Sequence, residues 1–289
     1  AVAERYAAAD RRVRVVRNER NLGDYPNRNR AATLARGEYI KYHDSDDVLY
    51  PHCLEVLVSL LASTPAADFA LSVGRNWPGG PCPMLLTPRM CYQREFLGAG
   101  MFSAGPSCAL FRTEAFRRLG GFPPFGVASD GVFWLRACAR CHVVLAPGDL
   151  FWYRTHPGQE LHSDRAAGDY ARAIGERWRA LNDPSCPLTE DERELAKQNA
   201  AAGILKLTAR DLRRGRWRPM MTRLRHAGLG PLDWLRYARR PRRELFAGTP
   251  RDADGDYVIP AWVRPAAVPS DDSDPADGSA LREGVAGGV

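Results

Sequence analysis

The sequence predicts an α/β fold with a mostly parallel sheet and flanking helices, continued by a helical C-terminal region. Two patterns carry this reading. Between residues 13 and 63, strand-like and helix-like stretches alternate, and an acidic loop separates one strand from the next helix. From about residue 165 the chain becomes Ala- and Arg-rich with helical character. The 289 residues are 45% hydrophobic, enough to bury a sizeable core, and 26% charged, an ordinary globular proportion.

Taken in order, Val13-Arg14-Val15-Val16 reads as a short strand that enters a polar loop through Asn21-Leu22-Gly23. Residues 27–36 have helical composition and stop at Gly37. Residues 38–42 alternate as a strand does and run straight into Asp44-Ser45-Asp46-Asp47. Pro51 opens an apolar-periodic helix. Residues 74–92, rich in Gly and Pro, read as an irregular excursion. Residues 113–119 read as a helix capped by Thr113 and closed by Gly120-Gly121. Residues 130–139 read as an amphipathic helix capped by Ser129, 143–146 as a strand, and 150–156 as an extended aromatic run. The helical region breaks near Pro184 and Pro187, and again at Gly230-Pro231. From about residue 265 the chain lacks apolar content and is expected to be disordered. The expected division is a catalytic-type domain over 1–164, a helical extension over 165–262 and a loose tail over 263–289.

The net charge of +7 is unevenly spread. Residues 210–243 hold twelve Arg, no Lys and only two acids, Asp211 and Asp233, so the rest of the chain is slightly acidic. A uniformly basic nucleic-acid binder does not look like this, and nucleic acid is not an expected partner. Trp217, Leu224, Trp234, Leu235 and Tyr237 interleave with those arginines. Two readings stay open: an amphipathic surface for anionic lipid head groups, or an Arg-rich face that packs through its apolar stripe.

Seven scattered cysteines do not suggest a disulfide framework, and reduced thiols are the simpler expectation. Cys138-Ala-Arg-Cys141-His142 has the spacing of a haem attachment motif, but it ends a helix and feeds directly into a strand, so buried thiols are the plainer reading. No apolar run approaches the roughly 18–20 residues that span a bilayer, and no signal peptide opens the sequence. The expected location is the cytoplasm, including the inner face of the plasma membrane.

The acidic loop carries the chemistry. Three carboxylates in four residues repel one another unless a cation sits among them. Hard oxygen ligands suit Mg²⁺ or Mn²⁺, which commonly take one or two carboxylates and complete their shell with water and substrate phosphates. By spacing alone, a solvated acidic turn ahead of a helix explains the same residues.

A wider pattern favours the first reading. NLGDYPNRNRAATLARGEYIKYHDSDDVLYP (21–51) resembles the core of the family 2 glycosyltransferases, with Asn-x-Gly, Arg-Asn before a helix, Gly-Glu-Tyr-Ile, then Asp-x-Asp-Asp and a nearby Pro. GPSCALFRTEAFRRLGGF (105–122), SDGVFWLR (129–136) and LFWYRTHPGQ (150–159) are similar to later segments of that family, in the family's order. The resemblance implies a GT-A fold, a Rossmann-like nucleotide-sugar-binding sandwich. It implies metal-assisted, inverting transfer of a sugar from a nucleoside diphosphate to an acceptor hydroxyl. The acceptor would be a glycan or lipid-linked molecule in surface polysaccharide or glycoconjugate synthesis.

Carried over residue by residue, the resemblance makes Asp130 the catalytic base. Asp46 becomes a metal ligand, with Asp44 and His156 beside the metal or diphosphate. Arg28, Asp44 and Asp46 become the donor-binding group. Gly105, Ser107 and Trp134 fall on the acceptor side, with Trp134 as the aromatic expected to face the pocket. Two departures matter. Ser129 stands where many members have Glu. The strands that open the family's nucleoside-binding half have no counterpart before residue 13, so the chain is expected to bind donor poorly and could instead be a non-catalytic module that engages a partner or membrane through its basic helices.

Overall fold

A computed structural model describes residues 2–72, 82–148, 150–156, 159 and 163–237. The expected tail over 263–289 lies outside the described residues. At the centre is a five-stranded sheet formed by β1 (Tyr39–Lys41), β3 (Phe69–Ser72), β4 (Met84–Leu86), β5 (Ala109–Arg112) and β6 (Val143–Ala146), in the order β1-β5-β3-β6-β4. A two-stranded ribbon pairs β2 (Val48–Leu49) with β7 (Phe151–Trp152).

The sheet is mixed, which corrects the expectation of a mostly parallel one. Only the β3–β6 pair is parallel; β1–β5, β3–β5 and β4–β6 are antiparallel. The reason is an insertion. β1 and β3 run in the same direction, but β5 enters between them from the opposite end, with Ile40 and Phe69 both registered on Phe111. The carboxyl ends of β1, β3 and β6 therefore share one sheet edge with the amino end of β5, and the acidic loop starts at that edge.

Burial on both faces explains why the inner strands show no alternation in sequence. β3 and β6 are buried at every position. Phe69, Leu71, Val143 and Leu145 point to one side, into a cluster with Phe133 and Trp134 of α6 (Ser129–Cys138) and Met90 and Leu97 of α4 (Pro88–Leu97). Ala70, Val144 and Ala146 point to the other, onto Leu57, Leu60 and Leu61 of α3 (Cys53–Ser63).

Elsewhere the sequence expectations meet mixed outcomes. α2 (Asp24–Leu34), β1, α3, α5 (Thr113–Arg118), α6 and β6 appear where the sequence placed them, within a few residues. Val13–Val16 forms no strand; Val13, Val15 and Val16 are exposed, and the segment has no ladder partner among the described residues. An Ala-rich helix, α1 (Val2–Ala9), precedes it. The Gly/Pro-rich span expected to be irregular holds β4 and α4, because Pro88 sits in the first turn of α4, where no amide donor is needed. Its residues 74–81 lie outside the described set. Thr113 does not cap α5; its hydroxyl donates to the Gly37 carbonyl at 2.7 Å. Ser129 does not cap α6 either, being itself the helix's first residue.

The helical region is α7 (Asp164–Asn182), α8 (Glu190–Arg213), α9 (Trp217–His226) and α10 (Pro231–Tyr237). Leu181, Leu188 and Ala196 join the same hydrophobic cluster as the sheet, so α7 and α8 complete the core rather than stand apart from it. Thr189 and Glu192 form a reciprocal capping box at the start of α8. Glu192 also takes Arg89 in a two-toothed pair at 2.9 and 3.1 Å and Gln93 at 2.6 Å, which staples α8 to α4.

Those donors hold the Glu192 carboxyl down at about 2 against the cost of its burial. A depressed carboxylate stabilises the fold above its unfolded pKa near ~4.3 and loses that contribution as pH falls towards the folded value. Glu192→Ala is expected to lower the unfolding free energy at neutral pH by about 1–3 kcal/mol in urea titration. The gap between the two proteins should close between about pH 4 and pH 2.

Candidate active site

An open cleft of about 1090 Å³ lies along the sheet edge. Arg28, Asp44, Asp46, Asp47, Gly105, Ser107 and Asp130 all line it, so segments separated by up to a hundred residues in sequence converge there.

Each carboxylate of the acidic loop has its own partner. Asp44 pairs with Arg28, which also pairs with Asp24 one turn back on α2. Asp46 Oδ2 lies 3.1 Å from His156 Nε2, and this hydrogen bond is the main reason its carboxyl sits below the usual range. Asp47 is buried, and burial pushes its carboxyl up, although it accepts the Arg154 amide at 3.2 Å. The β2–β7 ribbon delivers these last two partners: it lays residues 153–156 across the loop, where Arg154 Nε also donates to the Asp46 carbonyl at 2.7 Å.

A half-buried lysine fastens the opposite wall. Lys41, the last residue of β1, donates through Nζ to the carbonyls of Tyr42, at 3.0 Å, and Ser107. The Asp44 amide donates to Ser107 Oγ at 3.3 Å. Desolvation lowers the lysine's pKa. Ser107 is thus a clamp between β1 and the turn before β5, while a Cβ on Gly105 would meet nothing within 4 Å.

Asp130, in the first turn of α6, is half-buried. Burial raises its carboxyl to about 6, despite a 2.6 Å hydrogen bond from the Gly131 amide, another from the Tyr25 hydroxyl, and the charge of Arg28. Ser129 is fully buried beneath it. Its hydroxyl donates to the Gly126 carbonyl at 2.6 Å and accepts the Phe125 amide at 3.1 Å, knotting the turn that presents Asp130. Asp169 of α7 supports the same turn by accepting the Val127 amide at 3.1 Å.

Trp134 requires a correction. It was expected to face the pocket, but its side chain is 0% exposed and stacks on Phe111 with ring centroids 5.7 Å apart. Its position on α6 turns it into the sheet core. The indole N–H donates to the Ala104 carbonyl at 2.6 Å, so Trp134 supports the cleft wall from behind. Cys138 and Cys141 are buried free thiols, as the plainer reading of that motif expected.

Several site residues escaped the sequence reading. Tyr25 and Tyr170 line the cleft beside Asp130. Asn29 makes a reciprocal pair with the backbone of Phe122, at 2.8 and 2.9 Å. Gly121, at φ 73°, must lack a side chain because a Cβ would fall 2.6 Å from Asn29 Oδ1. Glu95 of α4 is buried; it accepts the amides of Met101 and Phe102 at 2.7 and 2.9 Å and pairs with Arg177 of α7. It holds the 99–103 wall in place. The Arg-Asn and Gly-Gly-Phe signals were visible in sequence, but their mutual contact was not.

The residues were tested for fit to a divalent cation. Among the described residues no group of three or more His, Cys, Asp or Glu is arranged to hold an ion. Asp44 is engaged by Arg28, which leaves Asp46 and His156. Their 3.1 Å separation suits adjacent ligands of one small ion, for which bonds of about 2.1 Å at right angles place donors about 3 Å apart. A two-donor protein set that leaves room for water and phosphate oxygens fits Mg²⁺ or Mn²⁺.

Residues 1–120 match the family model described as Glycosyl transferase family 2. That match covers less than half of the 289 residues. An uncharacterized glycosyltransferase of Methanocaldococcus jannaschii is 43% identical over 71 residues, 25% of this chain and 24% of that protein. An uncharacterized protein of Sinorhizobium fredii is 42% identical over 186 residues, 61% of this chain and 20% of the other. The chain thus spans a quarter or less of the length of these curated relatives. The crystal structure of S. aureus TarS 1-349 in complex with UDP-GlcNAc superposes with a TM-score of 0.50 at 19% identity, covering 69% of this chain and 57% of that one. The likeness is one of fold, and the mixed sheet with flanking helices is of the GT-A type.

Removing the carboxylate that gathers the 99–103 wall gives a local test. In Glu95→Ala, the Met101 and Phe102 amides lose their acceptor and are expected to exchange with deuterium at least tenfold faster by mass spectrometry. Amides of β3 and β6 should keep their protection.

Proposed function

We propose that the cleft is that of a family 2 glycosyltransferase and transfers a sugar from a nucleoside diphosphate sugar to an acceptor hydroxyl, with inversion at the anomeric carbon. The observation that carries this reading is the pairing of two unlike acidic centres in one cleft. Asp46 is held as an anion by His156, whereas burial keeps Asp130 near pH 6. Environments that push two carboxylates apart mark distinct roles.

Asp130 is the base. It takes the acceptor's hydroxyl proton as the acceptor oxygen bonds to the anomeric carbon, while the bond from that carbon to the diphosphate oxygen breaks and its electron pair leaves with the nucleoside diphosphate. A pKa near 6 leaves the group ionised at neutral pH yet more basic than an ordinary carboxylate. The Tyr25 hydroxyl and Gly131 amide fix its orientation. Asp46 and His156 would hold Mg²⁺ or Mn²⁺, which when bound neutralises charge on the leaving diphosphate. Arg28 holds Asp44 where its free oxygen can accept from a ribose hydroxyl. Gly105 leaves open space on the acceptor wall, and Ser107 sets the position of that wall through Lys41 and Asp44. The acceptor class is a glycan or a lipid-linked glycan of surface polysaccharide synthesis, made on the cytoplasmic side.

Two experiments test the roles. With a donor found by screening nucleotide sugars for diphosphate release, log kcat/KM should rise with unit slope below about pH 6 and level off above it, since only the deprotonated base acts. Asp130→Asn should lower kcat by roughly 10²–10⁴-fold with donor binding retained; substantial residual transfer removes Asp130 from this role. Asp46→Asn is expected to weaken Mn²⁺-dependent UDP or GDP binding by about 10–100-fold in calorimetry. Nucleotide binding without transfer to any acceptor would favour the non-catalytic alternative.

A further inference from the structure

The turn from α8 into α9 presents four exposed arginines and, beside them, exposed apolar side chains. Every residue from Leu212 to Arg218 is exposed, including Arg213, Arg214, Arg216 and Arg218. Leu212 and Trp217 within this run are 65% and 62% exposed. Gly215, at φ 66°, makes the sharp turn that puts them on one corner.

α9 continues the pattern. Trp217, Met221 and Leu224 stand at i, i+4 and i+7, one stripe of the helix, and all three are exposed. The helix packs on α7 and α8 through its other side, where Arg223 is buried against Asp211. That pair removes the one acid between residues 195 and 232 from the surface. The apolar stripe therefore faces outwards, beside uncompensated arginines. An amphipathic helix that packs for stability turns its apolar stripe inwards, so the packing reading of these arginines fails at α9.

We propose that the α8–α9 corner docks on an anionic lipid bilayer, with Trp217, Met221 and Leu224 entering the head-group region and the arginines facing lipid phosphates. The charge decides among occupants. A second copy would bring a like-charged corner against this one, whereas an anionic leaflet attracts basic residues at about 1 kcal/mol each. Trp at the boundary and Arg around it is the composition that settles at a membrane surface.

The test is flotation of the full 289-residue chain with vesicles. With phosphatidylcholine containing phosphatidylglycerol at low salt, the protein should float with the lipid. With pure phosphatidylcholine, or at high salt, association should fall at least tenfold. A fourfold variant, Arg213→Gln, Arg214→Gln, Arg216→Gln and Arg218→Gln, should lose on the order of a hundredfold in partitioning. Trp217→Ala with Leu224→Ala should weaken binding at fixed charge. All these side chains are exposed or nearly so, and circular dichroism and thermal unfolding should match the parent. No binding at low salt overturns the proposal, as does undiminished binding by either variant. Sedimentation showing a dimer that the Trp217 variant dissolves would assign the corner to a second copy and overturn it equally. Nucleotide binding, measured on the same variants, should be unchanged, so a failure of the catalytic reading leaves this outcome distinct.

Discussion

Three carboxylates at the end of one strand repel each other, and the cleft is organised around that repulsion. The protein answers each separately. Asp44 receives a guanidinium from α2, and Asp46 an imidazole and Asp47 a backbone amide from the segment that follows β7. These answers arrive from two directions, so satisfying the loop also fixes where α2 and the β2–β7 ribbon lie. Arg28 does this most economically, because it bridges its own helix and the loop and lends its charge to Asp130 as well.

Asp130 shows the opposite strategy. Among the described residues it has hydrogen bonds but no direct ion pair, and burial outweighs them. Desolvation thus leaves Asp130 a useful affinity for protons, whereas the more open Asp46, paired with His156, is held below the usual range. The difference follows from position. The acidic loop projects from an open sheet edge, whereas Asp130 rises from a turn whose underside is the buried Ser129. Ser129 there is a small hydroxyl with both hydrogen-bonding functions used.

Much of this was legible in sequence, and the failures have physical causes. β1 and α3 followed from periodicity, and β6 was read from the short apolar run Val143–Ala146. β3 and β5 gave no signal because strands buried on both faces lose alternation. The direction of the sheet failed for a related reason: periodicity reports that a strand exists, not which strand lies beside it, and the insertion of β5 is a long-range event. The Gly/Pro span misled because Pro83 and Pro88 sit just outside β4 and in the first turn of α4, where proline costs little. Of the residues that the ordered motifs singled out, Asp44, Asp46 and Asp130 line one cleft and His156 reaches Asp46. Tyr25, Asn29 and Glu95 were not singled out, since each acts through contacts with distant backbone or side chains. Trp134 was misplaced because an aromatic on a helix has the same sequence signature whether it faces a core or a cleft.

The helical region belongs to the site as much as the sheet does, and α7 is the element that makes it so. One side of α7 supplies Tyr170 to the cleft, Asp169 to the turn before Asp130, and Arg177 to the carboxylate that holds the 99–103 wall. The other side carries α9, and there the approach is close enough that a Cβ on Gly175 would fall 1.8 Å from the His226 carbonyl oxygen. Two helices in such contact cannot slide or rotate independently without opening a void. A surface seated on the outer stripe of α9 is thus one rigid helix away from the Tyr170 and Asp130 wall of the cleft. Geometry of this kind fixes the orientation of the cleft relative to whatever the basic corner meets; on the proposed function, an acceptor held at that surface would have its distance from Asp130 set by the fold, not by diffusion.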